Sequence, residues 1–139
     1  MEAWKNKMVK SINRAKNMTT KNMTRSIEIM APAGSYESLM AAINAGANSV
    51  YFGIEQLNMR ARAANNFTTE DLVKIVQICR KNKVKAYLAL NTVMYDHDIK
   101  LMKNICDAAK KSGITAVILS DIAALQYARS IGLEVHMST

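Results

Sequence analysis

The residues whose types could do chemistry lie just beyond the ends of apolar segments. An Ala-Pro-Ala-Gly turn follows the first of these segments, and its glycine would let the backbone approach a ligand closely. A long loop with two arginines follows the second segment, and single polar residues end or follow the next three. In a repeat of strands and helices, a site is built at these positions. The candidates are Gly34, Arg60, Arg62, Asn91, Asp121, His136 and Ser138.

Four of these residues are candidates for binding a substrate. Arg60 and Arg62 stand two residues apart in the segment NMRAR. In an extended loop this spacing points both side chains the same way, and a guanidinium group can hold a carboxylate or phosphate through two parallel hydrogen bonds. We expect the pair to bind an anionic group, with Gly34 and Ser138 at the same mouth. The alternative for either arginine is a solvated loop charge.

Three further residues are candidates for catalysis. His136 lies on the last predicted strand, where an imidazole can act as a general acid or base near neutral pH. Asn91 ends the third strand and Asp121 follows the fourth. Each also has a structural interpretation. His136 could be a core histidine bonded to backbone, Asn91 could complete a turn, and Asp121 could cap the helix after it.

Several well-known catalytic motifs are absent from the sequence. It contains neither the H-E-x-x-H pattern of zinc peptidases nor the G-x-S-x-G pattern of serine hydrolases. Asp96, His97 and Asp98 could suggest a metal, but adjacent side chains at a helix start point in different directions, and acidic residues there also act as caps. We predict no metal site. Cys79 and Cys106 fall on apolar faces of predicted helices, which is typical of reduced core cysteines.

The candidates are positioned by an alternation of strands and helices that begins at Ser26. In the helical segments, apolar residues recur at the i, i+3, i+4 and i+7 spacing of a buried helix face. Gly46, Gly113 and Gly132 end three of the helices, and Asn82 takes the same place in another. The predicted strands are SIEIMA, NSVYFGI, VKAYLALN, ITAVILS and LEVHMS.

Apolar strands separated by helices predict an α/β fold with a parallel sheet covered by helices. A doubly wound open sheet and a (β/α)8 barrel both fit this pattern. The turn APAGS lacks the G-x-G-x-x-G sequence of a dinucleotide-binding sheet, which favours the barrel. Because a barrel needs about 250 residues, we interpret residues 26–139 as the N-terminal portion of a TIM-like (β/α)8 barrel, about five βα units long and truncated.

The net charge of +8 is concentrated ahead of this domain. Residues 1–25 carry seven basic side chains and one acidic side chain. Such an extension could bind RNA phosphates, form a short amphipathic helix, or remain solvated and disordered. No apolar run approaches the roughly 20 residues of a membrane span, and the first residues lack the apolar core of a secretory signal. The sequence therefore predicts a cytoplasmic protein with no membrane partner.

The order of several separated motifs resembles a known family. APAG after the first strand, then AGA, VYFG, NMRARAANNF and finally HMST are similar to the collagenase-like peptidases of unknown catalytic type, peptidase family thirty-two. The resemblance covers residues 26–139. It implies a TIM-like barrel of which the rest follows HMST, so that this chain needs the C-terminal half of the barrel.

The resemblance implies one of two activities for the full-length protein. The historical label of the family is protease or collagenase, whereas its better-understood branches look like factors that hydroxylate a tRNA uridine or an rRNA cytidine, or that support ubiquinone synthesis. It also implies prephenate as a small anionic partner and, in several branches, an iron–sulfur cluster on four cysteines, which would lie beyond Thr139. We expect RNA nucleobase hydroxylation, with a genuine peptidase and an inactive truncated barrel as alternatives.

Overall fold

The computed structural model describes residues 27–55, 57–58 and 67–138. The predicted basic extension, residues 1–25, lies outside these ranges, as do Arg60 and Arg62. Among the described residues, no helix is both long enough and apolar enough to cross a membrane.

Five strands form one sheet in which every neighbouring pair is parallel, as the sequence predicted. The order in the sheet follows the order in the chain, so each strand lies beside the next, and the first and last strands are the edges. This arrangement is that of successive βα units in a barrel wall. The strands are β1 (Met30–Pro32), β2 (Ser49–Gly53), β3 (Lys85–Leu90), β4 (Ala116–Leu119) and β5 (Val135–Met137).

Within the described residues four α-helices connect the strands, and side-chain caps hold the starts of the first and the fourth. The hydroxyl of Ser35 accepts a hydrogen bond from the Ser38 backbone N–H at 3.2 Å. Thr68 and Asp71 bond to one another at the start of the second helix, where Glu70, the residue directly before it, makes no side-chain capping bond. The helices are α1 (Tyr36–Asn44), α2 (Asp71–Lys81), α3 (Ile99–Ser112), preceded by a 3-10 turn (Asp96–Asp98), and α4 (Ile122–Ser130).

The predicted left-handed helix ends are correct in three places and wrong in one. Gly46, Gly113 and Gly132 all have φ between +73° and +86°. Asn82 has φ −94°, and the left-handed residue after α2 is Lys83, with φ +58°. Asn82 instead caps the helix, because its side-chain amide donates to the Ile78 carbonyl at 2.9 Å. The chain therefore reverses one residue later than predicted.

Replacing Lys83 by glycine should stabilise the protein. A side chain in the left-handed region crowds the following carbonyl, and glycine lacks that contact. After allowance for the greater freedom of glycine in the unfolded chain, we expect the free energy of unfolding in urea to rise by about 0.5–1 kcal/mol. Lys81→Gly, inside the last turn of α2, is the matched control and should lower it. An unchanged or lower stability of Lys83→Gly would contradict the assigned backbone conformation.

The two faces of the sheet differ in what they contact. The outward residues pack with the helices into one core that includes Val50, Phe52 and Leu88, all at most 1% exposed. Each apolar helix stripe contributes to it, including Cys79 and Cys106, which are buried free thiols. Burial raises the pKa of each thiol to about 11. The inward residues of the sheet form the other face, where the candidate site lies.

The first strand begins later than the sequence predicted. Ile27 and Ile29 are largely exposed, and the Ile29 N–H donates to the side chain of Asn48 at 2.8 Å. At its other end, Pro32 is part of the strand and not of the turn. The Ala33 N–H donates to the Tyr51 carbonyl, and successive backbone N–H groups of a strand point to opposite sides. The nitrogen of Pro32 therefore faces the open edge of the sheet, where the N–H group that proline lacks would have no partner strand.

Candidate functional site

A continuous rung of the sheet crosses its inner face near the carboxyl ends of the strands. Gly53 pairs with Ala89, Ala89 with Ile118, and Ile118 with His136. The side chains of a strand alternate between faces, so the residues two positions further on, Asn91 and Ser138, point to the same side. The sheet register therefore places residues from β2, β3, β4 and β5 around one space.

A cavity of about 350 Å³ occupies this space. Its floor is apolar, and carboxamides and hydroxyls supply its polar groups. The lining residues that belong to the described ranges include no carboxylate, histidine, lysine or arginine. The volume is at the lower end of the range for small-molecule sites. The lining residues are Met30, Tyr51, Gly53, Asn58, Ala89, Asn91, Ile118 and Ser138.

Asn58 closes the cavity over Gly53. Its side chain is 2% exposed, and its amide nitrogen donates to the backbone oxygens of Ile54 and Glu55, both at 3.3 Å. A Cβ on Gly53 would lie 2.3 Å from the Asn58 side-chain carbon. Only glycine therefore leaves room for this carboxamide above the end of β2. Sequence reasoning missed Asn58, because a single asparagine within a long loop carries no periodic signal.

The structure brings together two of the sequence-predicted residues, Asn91 and Ser138, as cavity lining. Ser138 is held there by its backbone N–H, which donates to the Leu119 carbonyl at 2.6 Å. Tyr51, another lining residue, was missed. It could have been found from the alternation in β2, where Val50 and Phe52 face the helices and the tyrosine between them must face inward.

His136 shares the rung but not the cavity. Its ring contacts that of Tyr87, with centroids 5.1 Å apart, and its Nε2 lies 3.5 Å from a carboxylate oxygen of Glu134. Tyr87 lies two residues before Ala89, so the imidazole leans toward the amino ends of the strands. Its role as acid or base stays a prediction, one that requires the ring to turn toward Ser138.

Asp121 has both side-chain oxygens engaged with backbone. One accepts from the Ala123 and Ala124 N–H groups at 2.8 and 3.2 Å, which caps α4, and the other accepts from the Met94 N–H at 3.3 Å. The cap and the link to the loop after β3 match the structural interpretation of this residue. Its predicted catalytic role has no support in these contacts and stays a prediction.

Two substitutions at Asp121 separate capping from catalysis. Asp121→Ala removes the cap and the bond from the Met94 N–H and should lower the free energy of unfolding by about 2 kcal/mol. Asp121→Asn keeps the capping oxygen but loses the Met94 bond, and should cost about 1 kcal/mol. Thermal unfolding measures both. If the carboxylate also acts in catalysis, Asp121→Asn will lose far more activity than its loss of stability explains. Equal destabilisation by the two substitutions would contradict the capping assignment.

Gly34 and the two arginines are the remaining predicted residues. Gly34 is exposed, its N–H donates to the Ser38 hydroxyl at 2.9 Å, and it is not among the cavity-lining residues. Its backbone donor is thus already used by the first turn of α1. Arg60 and Arg62 lie outside the described residues. Their predicted contact with an anion stays a prediction.

The described residues do not hold a metal site or an iron–sulfur cluster. Among them, no three His, Cys, Asp or Glu side chains come together as a metal would require. Cys79 and Cys106, the only cysteines of the sequence, are core residues of α2 and α3 and do not fit the four-cysteine ligand set of a cluster. Two of the three neighbouring residues that could suggest a metal have other contacts: His97 stacks on Tyr95, and Asp98 accepts a hydrogen bond from the Tyr95 N–H at 3.0 Å.

A charged cluster lies on the inner face below the cavity, toward the amino ends of the strands. The carboxylate of Glu28 contacts Lys85 Nζ at 2.5 Å and accepts from the Tyr87 hydroxyl at 3.1 Å. The hydrogen bond from Lys85 lowers the pKa of Glu28, and the same bond raises the pKa of Lys85. This pair fixes Tyr87, which in turn contacts His136.

Known proteins match most of this chain. The model of the family "Peptidase family U32" matches residues 34–139. A collagenase of Porphyromonas gingivalis is 70% identical over 112 residues, which cover 81% of this chain and 27% of that protein. The tRNA hydroxylation protein P1 of Bacillus subtilis is 28% identical over 119 residues, which cover 84% of this chain and 28% of that protein. The chain spans about a quarter of the length of such relatives.

Two further matches concern RNA and the fold. The 23S rRNA 5-hydroxycytidine C2501 synthase of Escherichia coli is 26% identical over 113 residues, which cover 81% of this chain and 17% of that protein. The solved structure of the U32 peptidase Mk0906 superimposes with a TM-score of 0.62 at 8% identity, over 86% of this chain and 50% of that chain. The fold is thus that of about half of that structure, and the chain belongs to peptidase family U32.

Proposed function

We propose that the protein acts in the hydroxylation of a tRNA or rRNA nucleobase and that the cavity above Gly53 receives that base. The observation that carries this proposal is the chemistry of the lining. Two carboxamides, a phenol and a hydroxyl surround an apolar floor, and the part of the lining that the structure describes carries no charged side chain. A neutral heteroaromatic ring matches such a lining, since its faces contact apolar groups and its edge exchanges hydrogen bonds.

The two carboxamides suit the edge of a base. A carboxamide carries both a donor and an acceptor, the groups that read the alternating donors and acceptors of a nucleobase, and the amide nitrogen of Asn58 is oriented by its bonds to the Ile54 and Glu55 carbonyls. Asn58 approaches from the loop after β2 and Asn91 from the end of β3, so the two can address different positions of one ring. Met30 and Ile118 would contact its faces.

In this proposal, an anionic group of the substrate binds beside the cavity, at another part of the same mouth. The described lining residues supply no positive charge, so a phosphate or a prephenate-like dicarboxylate needs a cation from another residue. Arg60 and Arg62 follow Asn58 closely in the sequence and are the candidates for it. The remaining strands of the barrel, which the open edges of β1 and β5 require, would come from the parts that the longer relatives carry beyond their match.

A peptidase is the second candidate, and one observation favours it. The relative with 70% identity is named a collagenase. Ser138 lines the cavity and His136 precedes it by two residues on the same face, so a nucleophile and a base are available in sequence. In the structure the imidazole lies against Tyr87 instead, and a hydrolytic pair would require it to move.

Two measurements on one pair of strains decide between the candidates. Nucleosides of tRNA and rRNA from cells with and without the gene are compared by mass spectrometry, and the purified protein is incubated with a collagen peptide. We expect loss of a hydroxylated uridine or cytidine in the deletion strain and its return on complementation. Unchanged nucleosides together with cleavage of the peptide would reject RNA hydroxylation in favour of the peptidase.

A further inference from the structure

The charges of the described residues are separated along the direction of the strands. The acidic residues gather at the carboxyl ends of the strands and in the first turns of the helices, as Glu37, Asp71 and Asp121 illustrate. Most basic residues of the described ranges lie at the opposite end, apart from Lys74, Lys100 and Lys103 in the first halves of α2 and α3. We call that end the basic face, and it consists of Arg80, Lys81, Lys83, Lys85, Lys110, Lys111 and Arg129.

Some of these cations serve the fold. The guanidinium of Arg80 lies against Gly113 at the end of α3, and Lys110 Nζ donates to the Gly132 carbonyl at the end of α4. Positive charge at helix carboxyl ends complements the helix dipole, and Lys85 pairs with Glu28. These three contacts account for three of the seven residues.

Of the other four basic residues, Lys81, Lys111 and Arg129 lie in the last turns of helices, where their charge also complements the dipole, and Lys83 follows the end of its helix. Lys81, Lys83, Lys111 and Arg129 are exposed, and the structure gives none of them an ion-pair partner within the described ranges. Lys83 is held in a left-handed conformation that disfavours a side chain. It lines a cavity of about 250 Å³ together with Arg80 and Lys85, of which Lys85 is paired with Glu28. A concave surface with exposed cations is a place where a phosphate group can bind.

Ile27, the first described residue, lies just before β1, at the amino ends of the strands. The 26 residues that precede it in the sequence carry seven basic side chains. Among the described residues, the acidic side chains at the starts of the strands are Glu28, which is paired, and Glu134. The field of this face attracts a polyanion.

We propose that the basic face binds the phosphate backbone of a structured RNA. This face lies at the amino ends of the strands, and the mouth of the candidate site lies at their carboxyl ends. The proposal rests on RNA being the substrate, and it separates two tasks: the cavity receives one base while the basic face holds the RNA by charge. Contacts of this kind carry no sequence information and position the nucleic acid.

The test measures binding of bulk transfer RNA by the purified protein at several salt concentrations. The variant Lys81→Gln/Lys83→Gln/Lys111→Gln removes three exposed cations that form no ion pair within the described residues. Because each lost phosphate contact reduces the slope of log K against log salt by about 0.7–0.9, we expect the slope to fall by about two and the affinity near 0.1 M salt to fall at least tenfold.

The matched control changes the same net charge away from the basic face. Lys74→Gln/Lys100→Gln/Lys103→Gln removes three exposed lysines in the first halves of α2 and α3, and it should bind within about twofold of the parent. Equal weakening by both triple variants, no weakening by either, or equally tight binding of polyglutamate would overturn the proposal, since each indicates unspecific attraction.

The outcome is separable from that of the proposed function. If the deletion strain keeps all its hydroxylated nucleosides but the Lys81/Lys83/Lys111 variant still loses transfer RNA selectively, the basic face stands and the hydroxylation proposal fails. If hydroxylation depends on the gene but both triple variants restore it and bind RNA like the parent, the cavity proposal stands and the basic face is wrong.

Discussion

Gly53→Ala should destabilise the protein by about 1–3 kcal/mol, the range observed when a methyl group is forced into a packed site. The new Cβ would lie 2.3–2.5 Å from three atoms of the Asn58 carboxamide. Asn58 cannot yield easily, because it is buried and bonded to the carbonyls of Ile54 and Glu55. The midpoint of thermal unfolding should fall by several degrees.

Two controls make this result specific to the contact. Gly34→Ala places a methyl group where no atom lies within 4 Å and should leave the midpoint unchanged. Adding Asn58→Ala to Gly53→Ala removes the clashing side chain, so the double variant should lose less stability than the two single changes together predict. Additive losses would show that Gly53 and Asn58 do not touch.

Asn91→Ala should reduce nucleobase hydroxylation by about tenfold to a hundredfold while leaving the fold intact. A paired side-chain amide contributes about 1–3 kcal/mol to recognition of a base edge, and 1.4 kcal/mol corresponds to a factor of ten. The measurement is the amount of hydroxylated nucleoside in cells whose only copy of the gene carries the substitution. Asn104→Ala, at an exposed position of α3, is the control and should restore the parental level.

One result would contradict the role of Asn91 in binding the base. If Asn91→Ala restores hydroxylation as well as Asn104→Ala does, then Asn91 completes the turn after β3 without touching substrate. Ser138 would then be the one sequence-predicted residue among the described cavity-lining residues that could still contact the base.

The overall order of elements could be predicted from the sequence because each signal is local. Gly46, Gly113 and Gly132 mark the helix ends by a conformation that only glycine adopts freely, and the stripe containing Leu72 and Cys79 has the helical period. The two failures, at Lys83 and at β1, also have local causes. A lysine can be forced into the left-handed region by the strand that follows it, and Ile29 is exposed because its neighbour begins only at Ser49.

The site was less predictable because it depends on register. Asn91 and Ser138 could be predicted, since both stand at carboxyl ends of strands. Asn58 could not, because its position over Gly53 arises from the path of one loop. The contact of His136 with Tyr87 depends on a side-chain orientation that no spacing encodes.

Photo-cross-linking tests the central claim that the target base enters the cavity. Transfer RNA from the deletion strain, substituted with 4-thiouridine, is bound to the protein and irradiated, and the cross-linked peptide is identified by mass spectrometry. We predict a cross-link within β2, at or beside Tyr51, that is lost in Asn91→Ala and retained in Asn104→Ala. Bound RNA that cross-links to other segments and never to a cavity-lining residue would contradict the account.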